Sequence, residues 1–209
     1  MLLFAALLTS GVLAAPPAQP DPSARYVFYL HGKIIENAGR KPNHPRWGVY
    51  DYDAVLAALA GPGRLVISQQ RKPNTRVGTY ARVVAAQVEE LLAAGVPADH
   101  VTVVGFSKGG VIAQHISRKL AAPIRYALLA SCSKMTSSGD LHGHILSIRE
   151  QSDTMMGSCA AAFKDSPRLA EHHELTIAIG GEHGAFYRPH RAWLKPLLAW
   201  IDGKAPARS

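Results

Sequence analysis

The strongest constraint on this chain is a rhythm: short apolar runs recur along it, each closed by glycine, proline or a polar loop, and most alternate with segments of helical spacing. Arg25 to Leu30, Leu65 to Ser68, Val101 to Val104, Tyr126 to Leu129, Ile145 to Ile148 and Leu175 to Ile179 are the runs. Each is too short for a helix and too apolar for a strand with a wet face, so each reads as a strand buried on both sides. Between them, Asp53 to Leu59 is amphipathic and stops at Gly61-Pro62-Gly63. Val77 to Ala94 puts Tyr80, Val83, Val84, Val88, Leu91 and Leu92 at helical spacing before Gly95-Val96-Pro97. Gly109 to Leu120 and His190 to Ile201 are two further helices, while Lys33 to Trp47 reads as a polar loop. Doubly buried strands alternating with helices give an α/β fold, a mostly parallel sheet of about six strands flanked by helices.

At 209 residues with 47% hydrophobic and 18% charged side chains, the chain can bury one sizeable core and is not of disordered composition. No apolar stretch reaches the roughly 18 residues that a membrane-spanning helix needs. Leu2 to Ala15 is uncharged, apolar and ends in small residues, the pattern of a secretory leader; it lacks a basic start, and Val12-Leu13-Ala14 offers a cleavage point after Ala14. The expected organisation is therefore a leader over residues 1–14, a proline-rich spacer over 15–24, one domain over 25–203 and a tail over 204–209, with a periplasmic or secreted location. No internal repeat or second domain is evident.

In an open parallel sheet, reactive groups collect in loops beyond the carboxyl ends of the strands. Gly105-Phe106-Ser107-Lys108-Gly109-Gly110 occupies such a place, between a strand and a helix. This is G-x-S-x-G in the context where flanking glycines permit a sharp turn that lifts a serine hydroxyl above the sheet. A serine hydroxyl needs a base to become nucleophilic, and the base needs an acid to orient it. Asp153 lies beyond the strand at Ile145 to Ile148, and His183 lies in the glycine-rich loop Gly180 to Gly184. Glu150 and Asp140 are rivals for the acid; His100 and His115 are worse placed than His183. The backbone N–H groups of Lys108, at a helix start, and Lys33, after the first strand, are the candidate pair for an oxyanion hole. His31 is expected to be a buried hydrogen-bonding group in that loop.

Together these segments resemble the α/β-hydrolase superfamily over nearly the whole chain after the leader. Leu30-His31-Gly32 is similar to its oxyanion-loop motif, and Gly105 to Gly110 to its carboxylesterase and acyl-thioesterase elbow, which more often has glutamine at the position of Lys108. Ile148 to Asp153 and Gly181 to His183 resemble its acid and histidine loops. The resemblance implies an α/β-hydrolase fold without a cap domain, since only residues 131–143 separate the strands where a cap usually sits. It also implies a serine hydrolase acting on a carboxylic ester without metal or cofactor. A thioesterase, an acyltransferase and a non-catalytic binding protein are the alternatives.

Two pairs of features remain. In an oxidising compartment Cys132 and Cys159 should bridge, bracing the loop that carries Asp153. His142-x-His144 and His172-His173 read as ordinary surface histidines. The formal charge is +8, and Lys33, Arg40, Lys41, Arg46, Arg71, Lys72, Arg76, Lys108, Lys134, Arg188 and Arg191 fall in or near loops at the carboxyl edge. They suggest a small-molecule or polymer-borne ester, neutral or anionic, and weak association with anionic surfaces. No nucleic-acid recognition motif is present, and a monomer is expected. Trp47, Tyr50 and Tyr52 are candidates for an aromatic wall, with packing beneath the loop as the other use. When the chain is produced in an exporting bacterium, amino-terminal sequencing of the exported protein should start at Ala15; a first residue of Met1 would refute the leader.

Overall fold

The computed structural model describes residues 11–133 and 139–206; residues 1–10 of the expected leader, Lys134 and residues 207–209 of the expected tail lie outside them. In chain order the elements are β1 (Gly11–Leu13), β2 (Arg25–Leu30), α1 (Lys33–Ala38), β3 (Asn43–His44), β4 (Gly48–Val49), α2 (Tyr52–Leu59) and β5 (Arg64–Ile67). They continue with α3 (Val77–Ala93), β6 (Val101–Phe106), α4 (Lys108–Lys119), β7 (Arg125–Leu129), β8 (Gly143–Glu150), α5 (Ala160–Lys164), β9 (Leu169–Ile177) and α6 (Arg191–Ile201).

The sheet has the order β1-β5-β2-β6-β7-β8-β9, and every adjacent pair in it is parallel. Alternate residues of each central strand feed two separate cores. Tyr26, Phe28 and Leu30 of β2 pack with α3 and α4, whereas Val27 and Tyr29 pack with α2 and α6. This is why the central strands read as unbroken apolar runs.

The topology fixes where a site can form. From β2 the chain moves outward to β5, then returns to the other side of β2 for β6. Loops leaving β2 and β6 therefore diverge to opposite sides and open a crevice at their carboxyl ends, the usual ligand position in such sheets. The two loops concerned are those that carry His31 to Lys33 and Ser107 to Lys108.

Several elements differ from the sequence expectation. The sheet has seven strands rather than six, the additional one being β1, which lies inside the expected leader and pairs Gly11 to Leu13 with Leu65 to Ile67. The loop Lys33 to Trp47 contains α1 and β3, and β3 pairs with β4 as a two-stranded antiparallel ribbon. β6 continues through Gly105 to Phe106 instead of breaking at the glycine. β9 starts six residues before Leu175: it is an edge strand, and the four consecutive polar residues Glu171 to Glu174 hide it from an apolar pattern. The proline-rich stretch holds no helix or strand up to Ala24, yet it is fastened: the Asp21 N–H donates to the Tyr26 hydroxyl at 2.7 Å, and the Pro22 carbonyl lies 3.1 Å from His100 Nδ1. Among the described residues no helix is long and apolar enough to cross a membrane.

Cys132 and Cys159 form a disulfide with a Cα–Cα distance of 5.2 Å, and both are buried. The bridge ties the end of β7 to the start of α5, and beside it the Gly157 N–H donates to the Cys132 carbonyl at 2.7 Å. It is compatible with an oxidising compartment. Closing a loop of 27 residues is worth about 3–4 kcal/mol in the chain-entropy model. The Cys132→Ala/Cys159→Ala double variant should lose about that much in urea unfolding without reductant, and an unchanged midpoint would show that the bridge does not form.

Candidate active site

Ser107 joins β6 directly to α4 and carries the strain of that junction in its own backbone, at φ 52° and ψ −119°. Left-handed φ is costly for a residue with a Cβ and persists only where its surroundings impose it. Those surroundings are the glycines, whose role here is space rather than conformational freedom. A Cβ at Gly109 would sit 1.8 Å from the Leu30 carbonyl oxygen, and one at Gly105 would sit 2.4 Å from the Gly109 carbonyl oxygen. One at Gly110 would meet Ser131 Oγ at 2.2 Å. Helix α4 can therefore press against β2 and β6, and the Ser107 N–H, donating to the Leu129 carbonyl at 3.0 Å, pins the turn above the sheet.

The structure brings the three sequence candidates into one hydrogen-bonded chain. Ser107 Oγ lies 2.9 Å from His183 Nε2, and His183 Nδ1 lies 2.7 Å from Asp153 Oδ2. With Nδ1 protonated toward the carboxylate, Nε2 is the acceptor that faces the hydroxyl. Asp153 Oδ1 accepts the N–H groups of Met155 at 2.8 Å and Met156 at 3.2 Å. Burial pushes the Asp153 carboxyl upward, but the bond and charge of His183 and the two N–H donors outweigh it and hold the group below the usual carboxylate range. Asp153 thus stays an anion.

The rival acids are engaged elsewhere. Glu150 is buried, and its Oε1 accepts the N–H groups of Ile179 at 3.1 Å and Gly180 at 3.2 Å while Oε2 accepts the Ser152 N–H at 2.6 Å. It fastens the loop after β8 to the loop after β9. Asp140 pairs with Arg168 before β8 begins, at the opposite end of that strand from Asp153.

The histidine loop is held rather than loose. It coils as a short 3-10 turn over Glu182–Phe186, with Glu182 at φ 48°. The Glu182 carboxylate accepts Trp47 Nε1 at 2.8 Å and pairs with Arg46 at 2.6 Å. Trp47 in turn stacks on His44 with ring centroids 4.1 Å apart and stands 5.5 Å from the His183 ring. Gly184 makes this possible, since a Cβ there would fall 2.4 Å from Trp47 Cβ. Of the three aromatic candidates, only Trp47 lines the opening at Ser107. Tyr50 and Tyr52 are fully buried, Tyr50 stacked on Tyr187 at 4.7 Å and bonded to the Tyr29 hydroxyl at 2.7 Å.

Lys33 and Lys108 are the first residues of α1 and α4, so their N–H groups are among those with no partner inside the helix. Both helices start beside Ser107: a Cβ at Gly32 would lie 3.7 Å from Ser107 Cβ and 3.0 Å from the Phe106 ring. What the sequence does not reveal is how these two helix starts are joined. Lys108 Nζ donates to Glu36 Oε2 at 2.6 Å and to the Thr75 carbonyl at 2.8 Å, and Arg71 Nε donates to Glu36 Oε1 at 2.8 Å. The Arg71 N–H donates to His31 Nε2 at 2.9 Å, and its guanidinium reaches the His31 carbonyl. Glu36 is buried at the centre of this cluster, and in sequence it is one more acid in a polar stretch. Burial first, and the Arg71 charge second, lower the His31 pKa to about 3, so the ring is neutral.

The opening above Ser107 has a volume of about 300 Å³, and Gly32, Lys33, Trp47, Met155 and Tyr187 are among its walls. Among the described residues, five of the eleven basic residues expected at this edge are paired with acids. Arg40 pairs with Asp53, Lys41 with Asp51, Arg46 with Glu182, and both Arg71 and Lys108 with Glu36. Of the histidine clusters, His144 and His173 both face Glu171, at 3.2 and 2.7 Å. Among the described residues no group of three or more His, Cys, Asp or Glu side chains is arranged to hold a metal ion.

The chain matches no protein-family model and no curated protein. Among solved structures it is similar to RedJ with a PEG molecule bound in the active site, at 13% identity, 90% of this chain, 96% of that one and a TM-score of 0.54. It is also similar to the RedJ thioesterase of the prodiginine biosynthetic pathway of Streptomyces coelicolor, at 14% identity, 91% of this chain, 90% of that one and a TM-score of 0.55. At these identities the likeness is one of fold.

His31 gives this site a pH signature. Unfolded, a histidine takes up a proton near pH 6.5; folded, this one resists until about pH 3. Between those values the unfolded state binds more protons, so stability falls as pH drops, by up to about 1.4 kcal/mol per pH unit from this group. In His31→Gln the slope of unfolding free energy against pH should flatten between pH 6.5 and 4; an unchanged slope would mean the ring is charged or exposed in the native state.

Proposed function

We propose that this protein is a serine hydrolase of the α/β-hydrolase superfamily that cleaves a carboxylic ester through an acyl-enzyme. The observation that carries the reading is the continuous chain from Ser107 Oγ through His183 to Asp153, with separations of 2.9 and 2.7 Å. Nucleophile, base and orienting acid each stand in the contact that the chemistry requires.

Ser107 Oγ attacks the acyl carbonyl carbon, and its proton passes to His183 Nε2. Asp153, held anionic, stabilises the imidazolium so formed and keeps Nδ1–H pointing away from the substrate. The carbonyl oxygen, now an oxyanion, is received by the N–H groups of Lys33 and Lys108 at the positive ends of α1 and α4. Collapse breaks the bond to the leaving group, which takes the proton from Nε2. A water molecule then gives its proton to His183 Nε2 and attacks the acyl-serine carbon; the adduct breaks its bond to Ser107 Oγ, which takes that proton back, and the carboxylic acid departs. Every step uses side chains and backbone of this chain alone.

A thioester substrate is the second reading, favoured by the thioesterase among the similar folds. The same residues serve it, because a thiolate leaves more readily than an alkoxide and asks less of the proton on His183.

The test is a fluorophosphonate probe followed by matched ester and thioester panels. The wild type should label and Ser107→Ala should not, with turnover reduced by about a millionfold. Asp153→Asn should keep the fold and lose about ten-thousandfold in kcat. Glu150→Gln should lower stability more than kcat, since that carboxylate fastens loops. Labelling that persists in Ser107→Ala would reject the assignment.

A further inference from the structure

The opening above Ser107 is not the largest cavity at this edge. One of about 710 Å³ lies alongside it, between the Asp153 loop and α5. This volume is well within the range that holds small-molecule ligands. Met155, which is 53% exposed, lines both spaces and is the partition between them. Most walls of the larger cavity are apolar or small: Met155, Met156, Gly157, Ala160 and Ala161. One wall is a cation. Arg149, from the last turn of β8 before the acid loop, lines it, and its Nε is buried without a hydrogen-bond partner.

A half-buried guanidinium facing a mostly apolar cavity is costly unless something neutralises it. The carboxylate placed to do so is otherwise engaged. Glu174 lies on the adjacent strand, on the same face of the sheet and two residues before Thr176, the register partner of Arg149. It accepts the Ser158 hydroxyl at 2.5 Å and the Cys159 N–H at 2.6 Å at the start of α5. Asp153, also in the wall, is committed through Oδ2 to His183 and through Oδ1 to two backbone N–H groups. Among the described residues Arg149 has no ion-pair partner; Lys33, Lys72, Arg76, Arg188 and Arg191 at the mouth have none either, but only Arg149 lines the larger cavity.

We propose that the substrate extends from Ser107 across Met155 into this cavity and carries a carboxylate that pairs with Arg149. The substrate class is then an ester or thioester with an aliphatic segment ending in an anionic group, on either its acyl or its alcohol portion. This rests on Ser107 being the nucleophile and deepens that reading: positive charge inside the cavity, at Arg149, selects the substrate.

The experiment measures kcat/KM for two matched series. In one, p-nitrophenyl monoesters of straight-chain dicarboxylic acids are set against p-nitrophenyl esters of the corresponding monocarboxylic acids. In the other, hexanoate esters of carboxylated phenols are set against hexanoate esters of uncharged phenols. Each series is run on wild type, Arg149→Gln and Arg149→Lys. In one of the series the wild type should prefer the anionic member by about tenfold or more, the size of a charge-assisted hydrogen bond. Arg149→Gln should erase that preference while leaving neutral esters within about twofold, and Arg149→Lys should restore part of it. Which series shows the effect tells whether the acyl or the alcohol portion bears the charge. Calorimetry of Ser107→Ala with the p-nitrophenyl monoester of adipic acid and with 4-(hexanoyloxy)benzoate should give binding of at least one that adding Arg149→Gln abolishes; binding of neither would overturn the inference. Neutral esters hydrolysed through Ser107 with no anionic preference in either series would overturn this inference and leave the hydrolase reading intact. An equal loss on neutral and anionic esters in Arg149→Gln would also overturn it, as a purely structural effect. No Ser107-dependent turnover of any ester would instead remove the hydrolase reading, while the calorimetric arm would still report on the cavity.

Discussion

The site depends on one buried carboxylate. Glu36 sits between Arg71 and Lys108, and through them it fastens the helix start after β2, the loop after β5 and the helix start after β6. Parallel topology sends the first and last of these segments to opposite sides of the sheet, and the β2–β6 ladder ends at Leu30 and Gly105, before either helix begins. Three charges taken out of water are expensive unless each is paired and hydrogen-bonded, and here Glu36 accepts on both oxygens while Lys108 has a carbonyl as second partner. Removal of the carboxylate would leave two cations against each other beneath the Ser107 turn.

The second fixed side of the site is built by other means. The loops after β8 and β9 are drawn together by Glu150, by the Asp153–His183 contact and by Glu182 gripping Trp47 and Arg46. The disulfide closes the far end of the acid loop, nine residues after Glu150. Ser107 therefore stands between a charge cluster on one side and a fastened pair of loops on the other. Its unfavourable backbone angles are maintained by the close packing around Gly105, Gly109 and Gly110.

Much of this was legible in the sequence because the physics is local. Doubly buried strands announce themselves as apolar runs, and G-x-S-x-G between a strand and a helix locates a serine without reference to anything distant. The reasons behind the glycines were not legible: contacts with Leu30, Ser131 and Trp47 cross the fold, and no window of sequence contains both partners. The same holds for Glu36, an acid in a polar stretch until Arg71 and Lys108 arrive from 35 and 72 residues away. β1 escaped notice because an edge strand of three apolar residues and a leader have the same composition. Arg149 was absent from the basic residues expected at the mouth because it belongs to a strand, and only the sheet's pleat turns it toward α5.

The separation of the two sides has an evolutionary consequence. Electrostatic scaffolding lies with Glu36, Arg71 and Lys108, while the larger hollow lies across Ser107 with Met155, Met156 and Arg149. Of the residues lining that hollow, Met155, Met156, Ala160 and Ala161 can drift or enlarge without disturbing the charges around Glu36. A lineage could therefore reshape this hollow at those positions while Glu150, Asp153 and Cys159, which lie among them in sequence, keep the Ser107–His183–Asp153 contacts in place.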